Sequence, residues 1–176
     1  RTTSTVKTNL IEGALIVIFA LVTLLGSLRG GILTATTIPL SLLFAFILMK
    51  QFNVWANLMS LGAIDFGIII DGAVIIIEGT VYEIQKRIKA GKLGFDQKVM
   101  DELVYEAGST MMSSAFFGQI IILIVFAPIL FLTGVEGKMF QPMAYTFGFA
   151  MIGAIVLCLT YVPMISAHLM KAIQKK

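Results

Sequence analysis

Charged side chains are scarce in this sequence, and cysteine is almost absent. Of the 176 residues, 13% are Asp, Glu, Lys or Arg, whereas 58% are hydrophobic. A soluble domain of this length could not cover so much apolar surface, so the composition indicates a membrane protein in contact with the lipid bilayer. The single cysteine, Cys158, lies in an apolar run, which excludes a disulfide framework and a cysteine-cluster metal site. We therefore expect no cofactor, no resident metal and no nucleic-acid partner.

Five apolar runs are long enough to cross a bilayer as helices, which rise about 1.5 Å per residue. These spans are predicted at about 10–28, 32–49, 57–78, 111–133 and 143–168. Short turns join the first three, so these helices are expected to be antiparallel neighbours. Residues 80–108 form a polar connector with apolar residues at helical spacing, which predicts amphipathic helices on the membrane surface. The predicted fold is an all-α membrane protein, a bundle of about five transmembrane helices plus a surface amphipathic connector.

The distribution of Lys and Arg predicts the orientation of the bundle. If the connector is cytoplasmic, nine of the 13 Lys and Arg residues lie on its side of the membrane. Because cytoplasmic segments are enriched in these residues, the first residues are predicted outside the cytoplasm and the last residues inside it. The sequence begins with Arg1, and no signal-peptide pattern precedes the first span. We interpret residues 1–176 as a partial transmembrane domain of a longer polypeptide.

Three acidic residues distinguish the third span: Asp65, Asp71 and Glu78. An aspartate at the centre of a membrane helix costs roughly 2.5 to 3.5 kcal/mol of insertion free energy, so such residues face protein or water. Asp71 and Glu78 are seven residues apart, which places them within about 20° on one helical face, whereas Asp65 is rotated by roughly 120° from Asp71. Two aspartates in this arrangement cannot share one proton, but they can be successive stops for a proton.

The residues alone leave two interpretations of these acids open. In the first, the acids relay protons, because burial favours a protonated carboxyl group and a neighbouring cation favours an ionised one. In the second, permanent salt bridges or backbone donors satisfy them, and they only hold the bundle together. No Lys or Arg lies in the five predicted spans, so a cationic partner of Asp65 or Asp71 is expected outside this chain. Glu78 is also close enough to the cytoplasmic interface to reach it, and Glu12 is interpreted as an interfacial acid.

The run from Asp65 to Glu78 resembles the charged membrane helix of a known family. It reads Asp65-Phe-Gly-Ile-Ile-Ile-Asp71-Gly-Ala-Val-Ile-Ile-Ile-Glu78. Two aspartates and a glutamate at this spacing are characteristic of the heavy-metal efflux (CzcA/CusA-type) branch of the resistance-nodulation-division (RND) superfamily. The flanking segments 9–14, 38–43 and 136–143 resemble the same branch, so the resemblance covers essentially the whole chain. One departure is Gly79, because the family usually has Asn after the glutamate.

This resemblance implies a proton-driven metal/H+ antiporter in the inner membrane of a Gram-negative bacterium. It implies that Asp65, Asp71 and Glu78 form the proton relay, and that the five spans belong to the N-terminal half of each subunit of a homotrimer. The implied partners are the rest of the polypeptide, a periplasmic adaptor and an outer-membrane channel. The porter domain that selects the metal would lie outside residues 1–176. The acid pattern favours Zn(II), Co(II), Cd(II) or Ni(II) as the transported ion over Cu(I) or Ag(I).

Three other functions are alternatives to the antiporter. A multidrug pump of the same superfamily usually carries two adjacent aspartates, whereas Gly72 follows Asp71 here. An intramembrane aspartyl protease places its two aspartates on different helices, so that reading is disfavoured and no enzyme activity is expected. A non-transporting membrane scaffold would use the acids only to hold helices together.

Overall fold

A computed structural model of the chain describes residues 2–26, 28–55, 66–91 and 96–170, and nearly all of them are helical. The described residues contain no strand, so the predicted all-α class is confirmed. The helices are α1 (Thr2–Leu25), α2 (Leu28–Gln51), α3 (Phe66–Lys89), α4 (Gln97–Phe126), a 3-10 helix (Ala127–Phe131), α5 (Gly134–Leu159) and α6 (Tyr161–Met170).

Four described helical segments are long and apolar enough to cross a membrane. They are Thr3–Leu25, Leu28–Gln51, Lys98–Phe131 and Gly134–Leu159, and each overlaps one predicted span. The predicted span 57–78 is only partly described, because residues 57–65 lie outside the described residues and residues 66–78 form the first half of α3. Helix α3 is not among the four segments. It contains Asp71 and Glu78, and its last turn is basic. The count of five spans therefore stays a prediction.

The polar connector differs from the two separate surface helices that its sequence suggested. Residues 80–89 are the last part of α3, and residues 97–107 are the first part of α4, so each polar segment continues the helix that carries an apolar segment. The reason is burial: Ile84, Met100 and Leu103 join one hydrophobic cluster with the apolar residues of α3. The polar ends of α3 and α4 therefore pack against each other.

The fifth predicted span consists of two helices. Thr160 (φ −119°, ψ −62°) separates α5 from α6, and Pro163 lies in the first turn of α6. Proline has no N–H to donate to the carbonyl four residues earlier, and a first helical turn is where this loss is tolerated. A second proline, Pro142, lies inside α5, which begins eight residues earlier at Gly134. Membrane helices tolerate such a proline when neighbouring groups satisfy the freed backbone.

Helix α3 is the central element of the described bundle. It contacts each of the other described α-helices. Each of the three buried hydrophobic clusters also contains residues of α3, with Ile70 in one, Ile69 in a second and Ile76 and Ile77 in the third. The helix that bears the acidic residues is therefore also the helix on which the others pack.

Candidate functional site

The acidic residues of α3 lie on its outward face. Asp71 and Glu78 are both exposed, whereas Gly72, Ala73, Ile76 and other residues between them are buried. The seven-residue spacing predicts this common face, because seven residues complete almost two helical turns. We call the surface formed by Asp71 and Glu78 the acidic face. It is about 10.5 Å long along the helix axis, at 1.5 Å per residue.

Asp65, the third acid of the predicted relay, lies outside the described residues. Its predicted rotation away from Asp71 therefore stays a prediction. The site that the described residues form is the acidic face alone.

No described cation pairs with Glu78. Within the described part of the chain the ion pairs are Lys86 with Glu83 at 3.2 Å and Arg87 with Glu106 at 3.4 Å, and both lie beyond the acidic face, toward the C-terminal end of α3. Glu78 makes no hydrogen bond or ion pair with any described residue. The described helices therefore provide no permanent ion pair or hydrogen bond for this carboxylate, so groups outside the described bundle can interact with it.

Two glycines determine the orientation of the acidic face relative to α4 and α5. Gly72 follows Asp71 and Gly79 follows Glu78, so both glycines lie on a side of α3 about 100° from the acids. A Cβ on Gly72 would lie 2.8 Å from Gln119 Nε2 and 2.9 Å from Cys158 Sγ, and a Cβ on Gly79 would lie 2.9 Å from Met111 Cγ. Helices approach closely where small residues line the contact. Close packing of α4 and α5 against the glycines therefore keeps the adjacent acids facing outward.

Gln119 is a buried polar residue that sequence reasoning missed. It is 3% exposed and lies in α4 within an apolar run, and its amide nitrogen lies 2.8 Å from the position that a Cβ on Gly72 would occupy. Nε2 has no hydrogen-bond partner among the described residues. The signal was present in the sequence, because an amide in the middle of a predicted span is costly and marks a position with a specific neighbour.

The described residues hold no group of three or more His, Cys, Asp or Glu side chains that could bind a metal ion. The acidic face is also too elongated for a shared metal, because its two carboxylates are about two helical turns apart. What this arrangement can do chemically is to accept and release protons at two separate positions on one helix.

Comparison with known proteins places the chain in a family. Residues 1–176 match the AcrB/AcrD/AcrF family over their whole length. The chain belongs to this family. It is 48% identical over 160 residues to the cobalt-zinc-cadmium resistance protein CzcA of Cupriavidus metallidurans, covering 91% of this chain and 15% of that protein. It is 45% identical to the nickel and cobalt resistance protein CnrA of the same organism, covering 97% of this chain and 16% of that protein.

The structural comparison agrees. The fold matches a crystal structure of a heavy metal efflux pump with a TM-score of 0.79 and 39% sequence identity, covering 94% of this chain and 15% of the pump. The identity to the cation efflux system protein CusA of Escherichia coli is lower, 29% over 163 residues. The predicted resemblance to the heavy-metal efflux branch is confirmed. The chain spans about 15% of the length of the relatives it matches.

Proposed function

We propose that this chain is the membrane part of a proton-driven heavy-metal efflux pump, a metal/H+ antiporter, and that Asp65, Asp71 and Glu78 relay its protons. The observation that carries the proposal is the acidic face of α3. Asp71 and Glu78 are exposed on one face of the central helix of the bundle, among helices apolar enough to cross a membrane. Exposing two acids there is costly in a bilayer unless protein or water meets them.

The acidic face supports a relay through its change of charge. When the carboxyl groups are protonated, the face is neutral and can contact apolar surface at a much lower cost than in the ionised form. When they ionise, the same contact becomes unfavourable unless a cation approaches. Each charge that crosses 100 mV contributes about 2.3 kcal/mol, so a proton taken up outside and released inside can move α3 relative to the rest of the transporter.

The transported ion is proposed to be a divalent transition metal. The relatives at 45 to 48% identity are named for resistance to cobalt, zinc, cadmium and nickel. The cation efflux system protein CusA is a more distant relative, at 29% identity. This ordering, together with the two-aspartate-plus-glutamate spacing, favours Zn(II), Co(II), Cd(II) or Ni(II) over Cu(I) or Ag(I).

The assembly is proposed by the same family membership. The complete protein would be a multi-pass protein of the bacterial inner membrane and would form a homotrimer with a periplasmic adaptor and an outer-membrane channel. The first residues of the chain would be periplasmic and the last cytoplasmic, as the Lys and Arg distribution predicts. The cation that meets the acidic face would belong to the rest of the polypeptide.

Charge-removing substitutions in the complete transporter test the relay. Asp71→Asn is expected to abolish metal-dependent proton flux in proteoliposomes, because an amide cannot take up and release the proton. Asp65→Asn is expected to do the same, and Glu78→Gln is expected to reduce the flux. Glu12→Gln is the matched control, because Glu12 is an exposed acid of α1 and should keep normal flux.

Protein level and trimer formation must be equal among these variants. Normal flux in Asp71→Asn and Asp65→Asn at normal protein level would remove the relay and favour the membrane scaffold. Proton flux driven by organic cations but not by divalent metals would instead favour a multidrug pump.

A further inference from the structure

An apolar groove lies between α1 and α2. It is lined by residues of α1 between Leu10 and Ile18 and by residues of α2 between Ala35 and Leu42, and every lining residue is apolar. Its free volume is about 350 Å³. The groove opens on the outside of the bundle, where Ile11 is 50% exposed. Both helices are long and apolar enough to cross a membrane, so hydrocarbon can reach this opening.

The dimensions of the groove fit a hydrocarbon chain better than a helix. Leu10 and Ile18 are eight residues apart, which corresponds to about 12 Å along the axis of α1. The mean cross-section of the groove is therefore about 30 Å², which is enough for one extended acyl chain. An α-helix with its side chains is about 10 to 12 Å in diameter and has a cross-section of roughly 80 to 110 Å².

The depth of the groove is that of the acyl chains in one leaflet. Leu10 and Leu42 each lie about 21 to 22 Å along their helices from the turn that joins α1 and α2, and Ile18 and Ala35 lie about 10 Å from it. Because the hydrocarbon core of a bilayer is about 30 Å thick, the groove lies largely in the leaflet farther from the turn. In the orientation proposed above, this is the periplasmic leaflet.

Two lysines lie beyond the far end of the groove, one on each helix. Lys7 precedes Ile11 by four residues, and Lys50 follows Pro39 by eleven, so each lysine is on the face of its helix that lines the groove. Both are exposed, and neither side chain pairs with a described residue. Glu12 is rotated by about 140° from Lys7 around α1, so it does not neutralise this end of the groove.

We propose that the groove binds one acyl chain of a phospholipid with net negative charge, and that the lipid phosphate interacts with Lys7 and Lys50. The apolar lining suits the chain, and the two lysines supply the positive charge that such a headgroup attracts at the membrane surface. Leu10 and Ile38 of the groove belong to or pack against the hydrophobic cluster that contains Ile70 of α3. The bound chain therefore covers apolar surface beside the contact of α1 with the central helix.

Photocrosslinking of the complete transporter in lipid nanodiscs tests the site. The probe is a phosphatidylglycerol with a diazirine in its acyl chain, diluted in phosphatidylcholine, and crosslinked residues are located by mass spectrometry. We expect crosslinks in the groove to exceed several-fold those at Phe19 and Leu24, which are exposed residues of α1 outside the groove. Unlabelled phosphatidylglycerol should displace the probe from the groove, whereas the same amount of added phosphatidylcholine should not.

The variant Ala14→Phe fills the groove and should lower its crosslinking several-fold. Ala20→Phe is the matched control, because Ala20 is an exposed alanine of α1 that does not line the groove, and crosslinking should be unchanged.

The headgroup contact is tested by charge removal, which leaves the groove intact and does not depend on how Ala14→Phe folds. Lys7→Gln and Lys50→Gln should each lower phosphatidylglycerol crosslinking about fivefold, the effect of one cation at an anionic surface. Lys138→Gln, at an exposed lysine of α5, is the control and should have no effect.

Three results would overturn the proposal. The first is crosslinking in the groove no stronger than at Phe19 and Leu24. The second is equal displacement by both unlabelled lipids together with no effect of Lys7→Gln or Lys50→Gln. The third is a structure of the complete transporter in which a helix from outside residues 1–176 occupies the groove.

Discussion

The two faces of α3 differ in composition, burial and packing. The inward face consists of isoleucines and small residues, and Ile69, Ile76 and Ile77 are 0% exposed. The outward face presents Asp71 and Glu78, and both residues are exposed. The inward face takes part in all three hydrophobic clusters, whereas neither acid belongs to any of them. This contrast separates two roles within one helix: the inward face fixes its position, and the outward face carries its charge.

The separation has a physical benefit for a proton carrier. A carboxyl group that titrates inside a packed core must be desolvated in both charge states, and each change would alter the packing around it. In the proposed relay the change of charge takes place on an exposed face of α3, while close contacts at Gly72 and Gly79 hold the backbone from another side. Protonation can therefore change what the helix binds without loosening the bundle. The contrast predicts different effects for substitutions on the two faces.

The largest effect on stability is expected for Ile77→Ala. Ile77 is completely buried in the main cluster, and removing a buried isoleucine side chain typically costs about 2 to 5 kcal/mol. We expect a clear fall in the thermal unfolding temperature of the purified transporter. The neighbouring substitution Glu78→Gln is the control on the outward face and should leave the unfolding temperature unchanged while reducing proton flux. Equal destabilisation by both variants would contradict the separation of roles.

A smaller effect is expected for Gly72→Ala, which adds one methyl group where α4 and α5 approach α3. The new Cβ would lie 2.8 Å from Gln119 Nε2 and 2.9 Å from Cys158 Sγ, so at least one of these buried side chains must move. Such overpacking costs about 1 to 3 kcal/mol. The control is Gly118→Ala on α4, where no atom lies within 4 Å of the new Cβ. There alanine should stabilise the helix by up to about 1 kcal/mol. A rise in the unfolding temperature for both variants would show that the contact at Gly72 is not tight.

The sequence was sufficient for the fold class and for the common face of Asp71 and Glu78. Long apolar runs predict membrane helices because a bilayer demands them, and a seven-residue spacing puts Asp71 and Glu78 on one face whatever surrounds the helix. The helix boundaries were less predictable. The sequence of the polar segments after Thr80 and before Gly108 predicts surface helices. It does not show that Ile84 and Leu103 are buried, because their burial depends on a cluster to which residues distant in the sequence contribute.

The inward contacts could not be predicted from the sequence, because they depend on which helices pack together and at which positions along their axes. The sequence shows that Gly72 permits a close approach, but the residues that approach, Gln119 and Cys158, are 47 and 86 positions away. Gln119 was missed for the same reason. Its polarity is visible in the sequence, whereas its burial follows only from the packing of α3, α4 and α5.

The smallest effect is expected at Gly79, the position where the family usually has Asn. A Cβ there would lie 2.9 Å from Met111 Cγ, which belongs to a flexible and partly exposed side chain. Because methionine adapts its rotamers easily, the contact should yield, and the gain in helix propensity of about 0.8 to 1.0 kcal/mol from Gly79→Ala should offset most of the cost.

The role of Met111 at this contact can be measured with a double-mutant cycle on the unfolding temperature. In a Met111→Ala background the contact is absent, so Gly79→Ala should become stabilising, whereas in the unchanged protein its effect should be near zero. Equal effects of Gly79→Ala in both backgrounds would mean that the contact with Met111 is not the reason why glycine occupies position 79. In that case the departure from the family residue would have to be attributed to the neighbouring Glu78 and its unseen partner, and Gly79→Asn should then change proton flux more than stability.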